Sequence, residues 1–460
     1  MKKEKRMKIN KKLLSLLLTV AMSISLLPAV ASPAYAASHT YHIDYGSITI
    51  SENALDSGYL DITFIASSGA SSSSTDTIPV SDDIVITQTN SGTSTTNTIT
   101  VSSGTANVTL KGVNVSTSSG SAFTIRSDAT ANLTLSGANT LKTSATDCAG
   151  LQVQRGAEVT IDKETSDAND SLTTVGGSRG AGIGSNRYSS VGTITISGGT
   201  VTATGGQWGA GIGGGFSGNG ATITINGGTV TANGGQGGVA VFGGAGIGSG
   251  VGNLGSCTVN ISGGTVNATG VTCSAGIGNG YGSISYGSVI VISGGTVTAS
   301  SENGAGIGGG ESAHGGIITI SGGKVWAHSD TAMGIGSGLT NRESYADGVI
   351  TFLGGTTVIS DYLAERSSIY FIGGGSVKVR RDCSGSVMFE TADKETVVYE
   401  TVTSGFPINS SVTCSINGGD EFSSTTDENG CLYLWLPKGE GSVAAACSGG
   451  KCYGVSGTIE

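Results

Sequence analysis

Residues 194–204 read ITISGGTVTAT, and this pattern returns along the middle of the chain. The Gly-Gly pairs of successive copies lie 28 to 36 residues apart. A repeat with a period of about 20 to 50 residues is typical of a solenoid. The further copies are ITINGGTVTAN at 223–233, VNISGGTVNAT at 259–269, IVISGGTVTAS at 290–300 and ITISGGKVWAH at 318–328.

Apolar and polar residues alternate on both sides of each Gly-Gly pair, as where Ile196 stands between Thr195 and Ser197. This alternation predicts strands with one buried face. The two glycines supply the positive φ of a tight corner. Because helical periodicity is absent, we predict an all-β chain whose coils stack as a right-handed parallel β-helix.

A second landmark, GAGIG, runs in step with the first. It could suggest a phosphate-binding loop, but such a loop occurs once, before a helix, and continues into Lys-Ser/Thr. Here the block recurs before predicted strands, so we interpret it as small residues where coils pack closely. The calcium-binding nonapeptide repeat is disfavoured because no Asp follows these glycines. The copies are GAGIG at 180–184, 209–213, 244–248 and 304–308, SAGIG at 274–278 and AMGIG at 332–336.

The ends of the chain differ from the repeat. Residues 1–36 have a basic start, an apolar run at 13–27 and a closing Ala-Tyr-Ala, which predicts a secretory signal peptide and an extracellular location. Residues 37–79 are expected to form an N-terminal cap with a Ser-rich loop, and coils are expected over 80–395. Residues 396–460 contain short strand patterns separated by turns and predict a small β-sandwich module.

Charge narrows the choice of partner. Without residues 1–36 the chain has 16 basic and 32 acidic side chains. This acidity disfavours nucleic acid and anionic membrane surfaces, and the interrupted apolar run is too short for membrane insertion. A neutral polymer or a bound cation is the expected partner, while the oligomeric state is left open.

The signal peptide, the ITISGGTVTATGG and GAGIGGG repeats and the closing DENGCLYLWLP segment resemble the secreted carbohydrate-binding β-helix proteins of Gram-positive bacteria. That group belongs to the pectate-lyase-like superfamily. The resemblance covers most of the mature chain and implies a cell-surface or adhesin-like role. It does not fix an activity, because one fold hosts many functions.

The catalytic motifs of that superfamily are missing from the sequence. Galacturonan hydrolases carry Asn-Thr-Asp, Asp-Asp and Gly-His-Gly; only Asp82-Asp83 is present here, at the start of the predicted coils. Pectate lyases pair calcium-binding Asp residues with a catalytic Arg or Lys, and Arg380-Arg381-Asp382 lacks the surrounding motif. None of the superfamily's catalytic residues transfers to this chain.

Two carboxylates are nevertheless predicted to lie together. Aligning the Gly-Gly pairs of adjacent coils places Thr298 over Trp326, Ser300 over His328 and Glu302 over Asp330. Since neighbouring strands are about 4.8 Å apart, the last pair suits a possible calcium site, or the two carboxylates of a retaining glycosidase with His328 nearby.

Aromatic residues occur in the loops that follow the GIG blocks, where stacking would align them along the axis. Exposed aromatic faces beside amides and carboxylates suit sugar rings, although loop aromatics also commonly pack over their own coil. The loops carry Arg187, Tyr188 and Phe216. The predicted carbohydrate-binding set is Trp326, His328, Tyr281, Tyr286, Glu311, His314, Arg342 and Tyr345.

Three functions therefore stay open. The first is non-catalytic binding of extracellular polysaccharide or host glycan, and the second is a glycoside hydrolase or lyase. The third is an ice-binding or purely structural surface protein, since Thr-x-Thr pairs such as Thr200 and Thr202 recur on one flat face. Separately, Cys447 and Cys452 flank a four-residue turn and would face each other in a hairpin, which predicts a possible disulfide.

Overall fold

A computed structural model describes residues 36–459 with gaps. The predicted signal peptide lies outside the described residues except for Ala36. Among the residues described, no helix is long and apolar enough to cross a membrane. The gaps are 68–72, 165–168, 219–220, 237–241, 253–254, 284–286, 339–347, 353–356, 361–367, 372–375, 380–396, 404–406, 408–409, 417, 419–420, 426–430, 438 and 448–451.

The N-terminal segment contains four strands and one short 3-10 helix at Ile43–Tyr45. The second, third and fourth strands pair in antiparallel fashion, so they close one end of a sheet. The strands are β1 Ser38–His42, β2 Gly46–Glu52, β3 Tyr59–Ala66 and β4 Ser73–Pro79.

Shorter and less regular coils follow the N-terminal segment. Their strands are β5 Asp83–Thr87, β6 Ile99–Val101, β7 Thr105–Lys111, β8 Asn114–Thr117, β9 Phe123–Ile125, β10 Thr130–Ser136, β11 Ala138–Thr143, β12 Leu151–Val153, β13 Glu158–Lys163, β14 Ser171–Val175 and β15 Ile183–Gly184. Because β1 pairs in parallel with β5, and β2 with β6, parallel stacking starts at Ser38, ahead of the predicted boundary at residue 80.

The regular repeat forms the rest of the solenoid. Its strands are β16 Thr193–Ile196, β17 Thr200–Thr204, β18 Ile212–Gly213, β19 Thr222–Ile225, β20 Thr229–Asn233, β21 Ile247–Gly248, β22 Thr258–Ile261, β23 Thr265–Thr269, β24 Ile277–Gly278, β25 Val289–Ser301, β26 Ile307–Gly308, β27 Ile317–Ser329, β28 Ile335–Gly336, β29 Val349–Phe352, β30 Thr357–Ser360, β31 Ser368–Phe371 and β32 Ser376–Val379.

Each repeat contributes to two sheets, one of 20 strands and one of 12. The strands on both sides of a Gly-Gly pair belong to the larger sheet, and the short Ile-Gly strand belongs to the smaller one. Identical residues stack in register, as Ile194 does on Ile223. Both side chains are fully buried, and burying each stabilises the fold by about 1.5–3 kcal/mol. The predicted all-β, right-handed parallel β-helix is confirmed.

The second glycine of each GIG block is fixed by backbone packing. Gly213 has a φ of 128°. A Cβ placed there would lie 1.9 Å from the carbonyl oxygen of Gly248 in the next coil. The sequence interpretation of the block as a close-packing element therefore holds at this position.

Residues after 396 form two further antiparallel sheets, of two and four strands. The first pairs β33 with β36, and the second has the order β35-β34-β37-β38. The strands are β33 Val397–Thr403, β34 Ser411–Ile416, β35 Phe422–Thr425, β36 Cys431–Pro437, β37 Gly439–Cys447 and β38 Cys452–Ile459.

The predicted hairpin between β37 and β38 forms, but its register differs from the one expected. Cys452 pairs with Ala446 instead of Cys447. The prediction that the two cysteines lie directly opposite each other is therefore wrong, because the turn length sets the register and the sequence pattern did not specify it. Their side chains lie outside the described part of the chain, so the disulfide stays a prediction. Among the described cysteines, Cys148, Cys257 and Cys273 are free thiols.

Candidate functional site

The turns that follow the GIG strands stack on one another along the solenoid axis. Each turn donates a backbone N–H to the equivalent turn of the next coil. This ladder fixes the order in which the turn side chains appear on the surface. The bonds run from Tyr188 N to Phe216 O at 3.0 Å, from Ser217 N to Val251 O at 2.9 Å, from Gly252 N to Tyr281 O at 2.9 Å and from Gly282 N to Glu311 O at 3.0 Å.

Three aromatic residues meet at the start of this ladder, and we call them the aromatic ridge: Tyr188, Trp208 and Phe216. The ring centroids of Tyr188 and Phe216 are 5.8 Å apart, and those of Trp208 and Phe216 are 5.4 Å apart. Both distances are in the range of favourable tilted aromatic contacts. Tyr188 is 62% exposed, while the other two rings are half-buried.

A charged group supports the ridge from one side. The guanidinium of Arg187 lies 4.1 Å from the ring centroid of Tyr188 and 5.6 Å from that of Phe216. Asp147 lies 3.8 Å from Arg187 and forms a closer ion pair with Arg179 at 2.7 Å. The cation over the rings attracts their π faces and restricts their movement.

Two ridge residues have backbone conformations that disfavour side chains. Tyr188 has a φ of 57° and Trp208 a φ of 72°. At the turn position of Tyr188, the later coils have Ser217, Gly252, Gly282 and Ser312, with φ values of 50°, 66°, 63° and 56°. For an L-residue this conformation costs roughly 1–2 kcal/mol. The chain thus holds a large aromatic side chain where its own repeat elsewhere uses glycine or serine.

A second aromatic pair lies further along the same ladder. Phe242 and Tyr281 stack with ring centroids 3.8 Å apart and an interplanar angle of 20°. Tyr281 was predicted as a binding residue, whereas its partner Phe242 was not. Trp208 was missed in the same way. Both missed residues lie in the turn before a GIG strand, and the sequence GGQWGAGIG already placed Trp208 there.

The predicted stacking of the coils around Trp326 is found. Thr298 pairs with Trp326 and Ser300 with His328. On β27 the rings of Trp326 and His328 are 6.1 Å apart, and Trp326 is 37% exposed. This pair lies on the large sheet, whereas Tyr281 and Glu311 lie in turns after the small one.

The acidic pair also stacks through its backbone. Thr331 N donates to Glu302 O at 3.1 Å, and Asp330 N donates to Ser301 O at 3.2 Å. The Asp330 carboxylate lies 3.1 Å from the His328 imidazole. Carboxylate oxygens suit calcium, but no group of three or more His, Cys, Asp or Glu side chains able to hold a metal occurs among the described residues. The calcium site stays a prediction.

The Glu311 carboxylate is turned toward a buried thiol. It accepts a hydrogen bond from Cys273, which is 2% exposed. Burial, together with the neighbouring Glu311 charge, raises the pKa of Cys273 to about 12. The backbone carbonyl of His314 accepts a hydrogen bond from Asn279 at 3.1 Å. Tyr286, Arg342 and Tyr345 lie outside the described residues.

Comparison with known proteins yields one family match. Five segments match the beta helix repeat family model, and together with the solenoid they support a right-handed β-helix family. No curated protein and no solved structure matches the chain. The matched segments are residues 194–216, 223–251, 259–281, 290–311 and 318–339.

Proposed function

We propose that this chain is exported and binds extracellular polysaccharide or host glycan without transforming it, with the aromatic ridge as its contact surface. The proposal rests on the exposure, the ring contacts and the backbone conformation of Tyr188. It is 62% exposed, heads an aromatic cluster and occupies a left-handed backbone conformation. Backbone strain retained at an exposed residue is characteristic of functional sites.

The composition of the ridge supports a sugar ligand. Tilted, half-exposed rings present apolar faces on which the C–H faces of a sugar stack. Asp147 and Arg179 lie beside them, with side chains 47% and 24% exposed, and offer acceptors and donors to hydroxyl groups. Trp326 and His328 on the large sheet form a second, smaller aromatic surface that the same class of ligand could contact.

Export is supported by the sequence of the first 36 residues, whose basic, apolar and small-residue regions have the order of a signal peptide. An acidic, exported chain meets mostly carbohydrate and protein outside the cell. A neutral glycan carries no charge to be repelled by the 32 acidic side chains of residues 37–460.

The substitution Tyr188→Gly tests the proposal, because binding and packing roles predict different results. If Tyr188 serves binding, Tyr188→Gly weakens glycan binding while the melting temperature stays level or rises, since strain of roughly 1–2 kcal/mol is relieved. If the ring only packs over its own coil, the melting temperature falls and binding is unchanged. A glycan array identifies the ligand, and calorimetry then compares the variants.

Tyr59→Ala is the matched control, because Tyr59 is 41% exposed and lies on β3. It should bind as the unaltered protein does. Equal binding by Tyr188→Gly and the unaltered protein would contradict the proposal. Reducing-sugar and unsaturated-product assays, run beside the array, test whether the protein is an enzyme. If product forms, and if Glu302→Gln or Asp330→Asn abolishes its formation, the protein cleaves polysaccharide and the binding proposal is rejected.

A further inference from the structure

We infer that a second surface, a groove at the N-terminal ends of strands β13, β16, β19 and β22 of the large sheet, binds an extended, uncharged polysaccharide strand lying along the solenoid axis. The groove has a volume of about 370 Å³. That is within the range of about 300–1,000 Å³ found for small-molecule sites. It is lined by Gly156, Glu158, Val191, Gly192, Thr193, Ala221, Thr222, Ser256 and Thr258.

One wall of the groove is a row of stacked side chains, one from each coil. Glu158 pairs with Thr193, Thr193 with Thr222, and Thr222 with Thr258. Coils repeat about every 4.8 Å, which is close to the rise of one sugar unit in an extended polysaccharide. A strand lying along the axis therefore meets one side chain for each sugar.

The hydroxyl groups of this row are available to a ligand. Those of Thr193, Thr222 and Thr258 form no hydrogen bond with any other residue in the described part of the chain. All three residues are half-buried or exposed. Each hydroxyl can both donate and accept, which matches the hydroxyl groups of a sugar.

Backbone N–H groups of the threonine row are already paired within the sheet. Thr193 N donates to Ala157 O at 2.9 Å, and Thr258 N donates to Ala221 O at 2.8 Å. A peptide that binds by adding a strand needs a free sheet edge, and this interior row provides none. The side-chain row thus favours a ligand that is recognised through hydroxyl groups over an extended peptide.

The residues on the floor of the groove are small because adjacent coils pack closely there. A Cβ at Gly192 would lie 2.0 Å from the carbonyl oxygen of Ala157. The floor is therefore held flat by the fold itself, and a strand can approach the threonine row closely.

Charge selects the class of polysaccharide. The charged side chain lining the groove is Glu158, which is exposed. Its carboxylate, in a strongly acidic chain, disfavours uronate and sulfated strands. The ligand class is a neutral, linear polysaccharide. This surface is separate from the aromatic ridge, and its occupation does not require the ridge to bind.

The test uses calorimetric titration of the full mature chain with cellohexaose, xylohexaose and chitohexaose, and with hexagalacturonate as the charged comparator. The groove variant combines Thr193→Val, Thr222→Val and Thr258→Val. Valine keeps the shape and the strand preference of threonine but removes the hydroxyl. The matched control combines Thr195→Val, Thr202→Val and Thr224→Val, whose positions alternate outward in the same sheet but do not line the groove.

We expect at least one neutral hexasaccharide to bind and the groove variant to bind it about tenfold more weakly or worse, as for the loss of several modest hydrogen bonds. The control variant should bind normally, and hexagalacturonate should bind more weakly than the neutral sugars. Failure of every neutral hexasaccharide to bind, an unaffected groove variant, an equal loss in the control variant or preferred binding of hexagalacturonate would each overturn the inference.

The variant Tyr188→Gly separates this inference from the proposed function. If it binds the hexasaccharide normally while the groove variant does not, the groove acts without the ridge. If Tyr188→Gly alone loses binding, the groove is rejected and the ridge retained.

Discussion

Gly213→Ala is the substitution that most directly tests how the coils are held together. Two effects oppose an alanine at this position. The φ of 128° is one that L-residues rarely adopt. In addition, the new Cβ would lie 1.9 Å from the carbonyl oxygen of Gly248. That oxygen accepts a bond from Gly214 N at 2.9 Å, so it cannot move without disturbing the ladder.

Gly137→Ala supplies the matched comparison. Gly137 has a φ of 66°, but a Cβ there would meet nothing within 4 Å. In Gly137→Ala, the free energy of unfolding should fall only by the cost of a left-handed backbone conformation, about 1–2 kcal/mol. Gly213→Ala adds an overlap between the new Cβ and the backbone of the next coil, which the stacked coils cannot relieve. We therefore expect the free energy of unfolding to fall by more than about 4 kcal/mol, an exceptionally large effect for a single substitution.

Urea unfolding followed by far-UV circular dichroism measures both free energies of unfolding. A Gly213→Ala variant that is not recovered folded, beside a folded Gly137→Ala variant, would agree with the expected order. Equal losses in the two variants would refute the reasoning, because they would mean that the coils separate readily at the GIG strands.

Three further predictions concern titratable groups. Burial raises the pKa of Asp83 above its ordinary value of 3.8, so its folded form holds a proton more tightly than the unfolded chain and stability is lost as pH rises from 3.8 through the raised pKa; melting curves of Asp83→Asn should show its advantage over the unaltered protein growing across that window. Calcium bound between Glu302 and Asp330 should raise the melting temperature with increasing ligand; a melting curve indifferent to millimolar calcium and to chelator would exclude the site. The Cys273 thiol, with its pKa near 12, should resist alkylation at mildly alkaline pH; rapid labelling of the folded protein, located by peptide mapping, would contradict its buried contact with Glu311.

The sequence was sufficient to predict the architecture because every coil repeats the same pattern of alternating apolar and polar residues around a Gly-Gly pair. Alternation with a period of two determines which side chains enter the core, and the Gly-Gly pairs fix how one coil aligns with the next. The pairing of Thr298 with Trp326 followed from that alignment alone. Where the pattern weakens, prediction weakened too: parallel stacking already begins at β1, and the register of the β37–β38 hairpin is offset from the expected one.

The candidate site was only partly accessible from sequence. Placing Tyr188 and Phe216 in stacked loops required only the repeat. Their contact with Trp208 depends on turns on both sides of a GIG strand coming together, and it is tertiary structure that decides which rings meet. The left-handed φ of Tyr188 is equally invisible in a residue string.

What the sequence determined by itself is the parallel β-helix, its coil register and its buried ladder, because these depend on local periodicity repeated many times. What only the tertiary structure decided is which surface residues of different turns touch: the aromatic ridge, the bond between Cys273 and Glu311, and the threonine-lined groove. Turn side chains are governed by individual backbone angles and by the coils above and below. No period in the sequence encodes those contacts.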